Sequence, residues 1–346
     1  MIVAIATIML IVLLFLNVPV YTALVLSALE YFSLSDVNIM ILAQKMARGL
    51  ENTTLLAIPF FICSGILMNY GGIADRLFAF CKVILGHWPG ALAQVNVLLS
   101  TLMGGMSGSN IADAAMQSKM VYPPMVKDGY DPPFSAAVTA ASSLITPIIP
   151  PGIGLITFGF LGNVSVGRLF MAGIFPGILM CIVMMIFVHF ISIKKGYMPI
   201  RKTRASFREV GRASKSAVSA ILMPIIIIGG IRLGILSPTE AGAAAIVYAL
   251  IVGGAFYKSL SVKKLVRTMR ETVEATANVA IIFSAATAFS WVITNERVPQ
   301  GISDWVISNI SNPYIFLIAV IVMLLIAGCF MDGGALQVIL VPLLLP

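Results

Sequence analysis

The chain has 346 residues, of which 59% are hydrophobic and only 10% charged, and its mean hydropathy is +1.02. A soluble domain carries about 25% charged residues, so composition excludes a water-exposed globular protein. The uncharged runs are far too long for the strands of a membrane barrel. The formal charge of +8 is gathered in a few stretches, which makes it a topology signal rather than a nucleic-acid surface. The chain therefore reads as an all-α, polytopic protein of the lipid bilayer with no nucleic-acid partner.

Residues 2–29 carry no charge, and the stretch shows neither a basic n-region nor an Ala-x-Ala cleavage site. They are expected to form a retained first span, one long tilted helix bent near Pro19, because division at Asn17–Pro19 leaves pieces too short to cross. Residues 36–51 are more polar and suit the interface. Residues 52–74 form the next predicted span, with Pro59 inside it, and 75–82 a second mixed stretch. His87-Trp88-Pro89-Gly90 reads as an interfacial turn anchored by Trp88.

Residues 83–112 contain no Asp, Glu, Lys or Arg, yet the end of this run is wrong for a plain membrane helix. Gly104, Gly105 and Gly108 weaken helix continuity, and Ser107, Ser109 and Asn110 place small polar groups where hydrocarbon-facing residues belong. Broken backbone at membrane depth is tolerated only where protein buries it or where it lines a watery cavity. The pattern predicts a re-entrant hairpin over about 88–124 with its tip at Ser107–Asn110. The competing reading is a small-residue patch for helix packing.

A polar loop follows at 127–133. Residues 132–167 are again uncharged but are interrupted around Thr146 to Gly154, where Pro150, Pro151 and Gly152 must break the helix. A discontinuous helix over 134–162 leaves orphan carbonyls on one half, which attract cations, and orphan N–H groups on the other. A proline kink without a ligand is the alternative.

Residues 169–193 form a clean span. Residues 194–215 then hold eight basic side chains against one acid, Glu209, and the positive-inside rule places this loop in the cytoplasm. Residues 216–231 lead out and 241–257 return. Lys258, Lys263, Lys264, Arg267 and Arg270 lie inside again, and 275–295 lead out. Residues 296–304 suit the outer interface. Residues 305–331 are predicted to re-enter from outside and to meet Asp332-Gly333-Gly334, which makes a second hairpin over about 305–346.

An offset of 223 residues maps Glu51 onto Glu274, Thr53 onto Thr276, Phe60 onto Phe283, Gly105 onto Gly328 and Pro123 onto Pro346. It also aligns the two polar breaks, Ser109 with Asp332. The first copy approaches its hairpin from inside and the second from outside, the inverted repeat of many secondary transporters. The predicted organisation is a first repeat over 1–215, with the inward hairpin, the broken helix and the basic loop, and a second over 216–346. Counterparts of 125–193 would fall beyond Pro346, so the second repeat is expected to be incomplete.

Cations such as sodium take oxygen ligands, and broken helices supply them. The candidates at a first ion site are Ser107, Gly108, Ser109, Asn110, Thr146, Pro150, Pro151 and Gly152. At a second they are Gly328, Asp332, Gly333 and Gly334. Asp332 is the only acid within 305–346, and an ionisable group at membrane depth is functional by default. Asp113 is open between that role and capping or packing within the hairpin. The scattered cysteines and the lone His87 and His189 give no transition-metal spacing, no organic-cofactor signature and no nucleophile with its base, so an enzyme is not expected.

At these residues the sequence resembles the large membrane (M) subunit of tripartite ATP-independent periplasmic (TRAP) transporters. The matching pieces are Leu56-Ala57-Ile58-Pro59-Phe60-Phe61, Gly86-His87-Trp88-Pro89-Gly90, Ser107-Gly108-Ser109-Asn110-Ile111-Ala112-Asp113, Gly129-Tyr130-Asp131, Ile148-Ile149-Pro150-Pro151 and Leu169-Phe170-Met171-Ala172-Gly173-Ile174-Phe175-Pro176-Gly177, in family order. The resemblance implies a sodium-driven importer of organic acids in a bacterial inner membrane, working by an elevator-like movement. It also implies a small membrane (Q) subunit and a soluble periplasmic substrate-binding (P) subunit as partners. Gly152 stands where the family usually has serine. On this reading main-chain carbonyls supply the Pro150–Gly152 side of the ion site, and exchange of Gly152 for serine is expected to be tolerated. The alternatives are a cation-coupled carboxylate transporter that works without a binding protein, and an ion channel.

Overall fold

The computed structural model describes residues 2–51, 53–309, 312–329 and 333–345. All regular structure among them is helical. In chain order the helices are α1 (Ile2–Phe15), α2 (Val20–Leu34), α3 (Met40–Arg48), α4 (Ala57–Tyr70), α5 (Ile73–Leu85), α6 (Ala91–Ser107), α7 (Asn110–Met120), α8 (Tyr122–Lys127), α9 (Pro132–Ser143) and α10 (Ile153–Leu161). They continue with α11 (Val166–Lys195), α12 (Phe207–Arg232), α13 (Pro238–Leu250) and its π-turn extension (Ile251–Phe256), α14 (Val262–Asn295), α15 (Val298–Asn309), α16 (Pro313–Gly328) and α17 (Gly333–Leu344).

Contacts divide the chain into two interleaved units. One comprises Met1–Leu55, Thr157–Val164 and Ala275–Pro346, and the other Leu56–Ile156 and Ser165–Glu274. Two of the four boundaries fall within α10 and α14. Neither unit ends at 215/216.

In the first unit, residues 2–29 do not form one bent helix. α1 ends at Phe15, and α2 packs back along it. Asn17 takes φ +61°, a left-handed conformation that its short amide tolerates. Pro19, with no N–H, then starts a new helix rather than continuing the old one. The chain reverses there, and the two short helices bury Ala6 and Leu10 of one and Ala23, Leu24 and Ala28 of the other.

Near the C-terminus, Trp305 belongs to α15, and the Asn312 backbone is extended. α16 starts afresh at Pro313, where the Asn312 side chain accepts the Tyr314 N–H at 2.9 Å and Pro occupies the position that needs no donor. α17 packs against both α15 and α16.

In the second unit, α11, α12, α13 with its extension, and (reaching into the first unit) α14 are long and apolar enough to cross a membrane. α4 and α5 meet the same criterion as a pair bent by 67°, so the expected mixed stretch at 75–82 is the body of α5. Capping boxes begin α12 (Ser206 with Glu209) and α13 (Ser237 with Glu240), each satisfying two orphan N–H groups reciprocally. Pro176 and Pro224 lie inside α11 and α12, where neighbouring helices can meet the backbone groups they free. α13 packs on α4, α12 on α5, and α6 is surrounded by α4, α5, α9, α11 and α12. The most enclosed helix of this unit is therefore the first arm of the predicted hairpin.

Candidate functional site

α6 ends at Ser107, and Gly108 turns the chain with φ +57°, where a side chain would be strained. Ser109 then caps α7, its Oγ accepting the Ala112 N–H at 3.4 Å. From there the chain runs back along α6. Ser100 faces Asp113, Asn96 faces Met125, and the Leu92 N–H donates to the Tyr130 hydroxyl at 3.3 Å. As the α6 number falls, its partner's number rises, so α6 and α7–α8 form an antiparallel hairpin with its turn at Gly108–Ser109. The tip stands where the residue pattern put it.

α9 runs beside α6 in the same direction, with Asn96 bonded to Thr139 and Ser142 and Ser100 to Thr146. Continued along this register, the break after α9 arrives at the hairpin tip. The Ile153 N–H donates to the Gly108 carbonyl at 3.2 Å. A Cβ on Gly108 would lie 2.3 Å from the Pro151 carbonyl oxygen and 3.1 Å from Gly152 Cα. Gly108, Pro151 and Gly152 are thus brought into contact from segments over 40 residues apart in sequence. Among the described residues, the carbonyls from Thr146 to Pro151 accept no hydrogen bond. Of these oxygens, that of Pro151 faces Gly108 and that of Pro147 faces Gly152; carbonyl oxygens are the ligand type that hard cations take.

The other candidates fall in different places. Ser107 is buried and its hydroxyl donates to the Met103 carbonyl at 3.4 Å. Asn110 is half-buried, its Oδ1 accepting the Ile111 N–H at 2.9 Å. Thr146 is fully buried, but its hydroxyl is turned into the hairpin, 3.0 Å from Asp113 Oδ2 and 3.2 Å from the Ser100 carbonyl. At Gly152 the expected tolerance of serine is overturned, because a Cβ there would lie 1.9 Å from the Pro147 carbonyl oxygen. The chain doubles back on Pro147 too tightly to admit any side chain.

Sequence reading left Asp113 open, and the structure makes it the hub of a polar network. Its Oδ2 accepts from Ser100 at 2.6 Å, Gln117 at 2.9 Å and Thr146 at 3.0 Å. A second node joins Asn96 to Thr139 at 2.8 Å and to Ser142 at 2.7 Å. These side chains are all buried. A signal was present in the spacing: Asn96 and Ser100, Asp113 and Gln117, and Ser135, Thr139, Ser142 and Thr146 each recur on one helical face. Polar stripes on facing helices bind the hairpin to the broken segment along their length.

At the opposite end, the hairpin base is tied to the chain following α11. The Gly90 N–H donates to the Tyr197 carbonyl at 3.1 Å and the Arg201 N–H to the Gly86 carbonyl at 2.9 Å. Tyr130 stacks on Tyr197 with ring centroids 4.3 Å apart. Lys195 pairs with Asp131, and this ammonium holds the Asp131 carboxyl below its ordinary range, with the Tyr197 hydroxyl adding to the effect.

Of the second candidate site, Gly328 closes α16, and Gly333 and Gly334 open α17. Asp332 lies outside the described residues.

The sequence matches the family described as tripartite ATP-independent periplasmic transporter, DctM component, over residues 7–346. It is 40% identical over 335 residues to a sialic acid TRAP transporter large permease protein of Vibrio cholerae, covering 96% of this chain and 78% of that one. A sialic acid TRAP transporter permease protein of Haemophilus influenzae is 37% identical over 343 residues, 99% of this chain but only 55% of the relative, so the chain spans about half the length of that protein. A C4-dicarboxylate TRAP transporter large permease protein of Pseudomonas aeruginosa is 35% identical over 320 residues, 92% of this chain and 74% of the relative. With a hairpin tip meeting a broken helix and a family match over nearly its whole length, this chain belongs to the DctM component family of tripartite ATP-independent periplasmic transporters.

Proposed function

We propose that this chain is the large membrane subunit of a secondary transporter that imports an organic acid and couples its entry to sodium. The observation that carries the reading is the junction of the Gly108–Ser109 tip with the Pro151–Gly152 break. Carbonyls freed by the break have no protein donor, and such groups cost several kcal/mol each at membrane depth unless something satisfies them. A sodium ion held among them would satisfy them and leave the half-helix termini to face the substrate carboxylate. Relatives named for sialic acid and for C4-dicarboxylates share a carboxylate group, which supports that substrate class. On this reading a periplasmic substrate-binding (P) subunit delivers the acid, a small membrane (Q) subunit completes the membrane part, and an elevator-like movement carries the junction between the two sides of an inner membrane. The inverted repeat, the second hairpin with its own ion site, and the cytoplasmic side of the 194–215 loop belong to the same proposal.

The test is uptake in proteoliposomes. Import of a labelled carboxylate should need an inward sodium gradient, the small subunit and the binding protein together. Robust uptake by this chain with no other protein present, or uptake indifferent to sodium, would refute the proposal.

A further inference from the structure

The hairpin base carries a groove that the transport reading does not use. It has a volume of about 640 Å³, and His87, Trp88, Ile182, Ile186, Phe190 and Arg204 lie along it. One wall is α11, where Ile182, Ile186 and Phe190 recur at a spacing of four and are 51%, 52% and 67% exposed, an apolar strip about two turns long. The middle is aromatic. Trp88 makes edge-on contacts with His87 and His189, with ring centroids 6.4 and 6.0 Å away, and tryptophan marks headgroup depth in membrane proteins.

The last component is cationic. Arg204 lies on the loop between α11 and α12 and is exposed. Glu209, the only acid between Lys194 and Lys215, is already bonded to Arg201 at 3.3 Å, and Asp131 is paired with Lys195. Arg204 therefore has no ion pair among the described residues. A cation, an aromatic zone and an apolar strip meet in one groove, and together they complement the polarity of a phospholipid from phosphate to acyl chain.

We propose that this groove binds a phospholipid with an anionic headgroup, its phosphate on Arg204 and one acyl chain along Ile182, Ile186 and Phe190. An unpaired guanidinium favours phosphate geometrically as well as by charge.

The experiment places the chain in nanodiscs with Trp291→Phe and Trp305→Phe, which leaves Trp88 as the sole tryptophan. Phosphatidylglycerol or phosphatidylcholine with brominated acyl chains is titrated against its unbrominated counterpart, and Trp88 fluorescence is read. Brominated phosphatidylglycerol should quench at a roughly fivefold lower mole fraction than brominated phosphatidylcholine. The preference should survive Arg204→Lys, vanish in Arg204→Gln, and persist in excess inorganic phosphate at constant ionic strength. If the tryptophan variants fail to fold, native mass spectrometry of the otherwise unaltered chain should show phosphatidylglycerol retained and lost on Arg204→Gln. Equal quenching by the two lipids would mean a surface bathed in bulk bilayer. No quenching by either would mean that a protein segment fills the groove, and reversal by inorganic phosphate that the anion alone is the ligand. Each of these outcomes, or phosphatidylglycerol retained equally by Arg204→Gln, overturns the proposal.

Discussion

The N–H of Ile153 donates to the carbonyl of Gly108 at 3.2 Å. This bond joins the first residue of α10 to the turn between α6 and α7, so the restart of the broken helix and the hairpin tip share one hydrogen bond. Neither segment can shift along the other without losing it.

Ser109 caps α7 at this junction. Replacement by leucine removes the cap, which costs about 1 kcal/mol, and puts a bulky side chain next to the Gly108 turn that meets Pro151. In the reconstituted assembly, Ser109→Leu should insert normally but lose sodium-dependent uptake. Normal sodium dependence in this variant would remove the stretch from the ion site and leave the helix-packing reading.

Thr146 tests which atoms would hold the proposed ion. Its hydroxyl is committed to Asp113 and the Ser100 carbonyl, so Thr146→Val should cost about 1 kcal/mol of stability and leave the sodium half-saturation of uptake unchanged. Asp113→Ala leaves the buried Ser100 hydroxyl without its acceptor, while Thr146 keeps the Ser100 carbonyl and Gln117 the Ser100 hydroxyl oxygen, and should cost about 1–3 kcal/mol. Denaturation in detergent measures both. A raised sodium requirement for Thr146→Val, with unaltered stability, would place its hydroxyl on the ion instead.

Side chains are excluded at the two junction glycines. Gly108→Ala imposes a left-handed alanine, worth about 1–2 kcal/mol, and a contact at 2.3 Å with the Pro151 carbonyl oxygen. Gly152→Ser meets the Pro147 carbonyl oxygen at 1.9 Å. Both variants should melt well below the parent protein, with overpacking adding about 1–3 kcal/mol. A Gly152→Ser protein with the parent's melting temperature would contradict the backbone path described here.

The Asp131–Lys195 pair gives a pH signature. A carboxyl held below its unfolded value adds stability that is present above that value, about 4 for aspartate, and that disappears as pH falls through the lower folded value. The melting-temperature difference between the parent and Asp131→Asn should be flat near neutrality and shrink in acid. Because the pair is exposed, high salt should shrink it too. A difference that grows in acid would assign the effect to another group.

The sidedness of the basic loop can be read directly. Lys202→Cys, in a background without native cysteines, should react with a membrane-impermeant thiol reagent in inside-out vesicles and remain unmodified in right-side-out ones. The reverse pattern would invert the proposed topology.

Much of this molecule is written in local chemistry. The scarcity of charge implied a membrane protein, and Gly108 with Ser109 marked a break because glycine weakens a helix and small polar groups do not suit hydrocarbon; the structure adds that Gly108 takes positive φ and Ser109 caps the next helix. Pro150, Pro151 and Gly152 stopped a helix because two of them lack an N–H. These are properties of residues and their immediate neighbours, and they survive without knowledge of the fold. The reversal at Asn17 did not. An apolar run with one proline is equally consistent with a bent helix and with a hairpin, and only the packing of α2 on α1 decides between them. The same holds at the site. That the tip and the break coincide depends on the parallel register of α6 and α9, which Asn96, Thr139, Ser142 and Thr146 set by pairing across helices. Whether Thr146 faces an ion or Asp113, and whether Gly152 admits a side chain, are questions of distances below 4 Å between segments remote in sequence. Residue identity supplied the donors, acceptors and breaks; tertiary packing decided which of them meet.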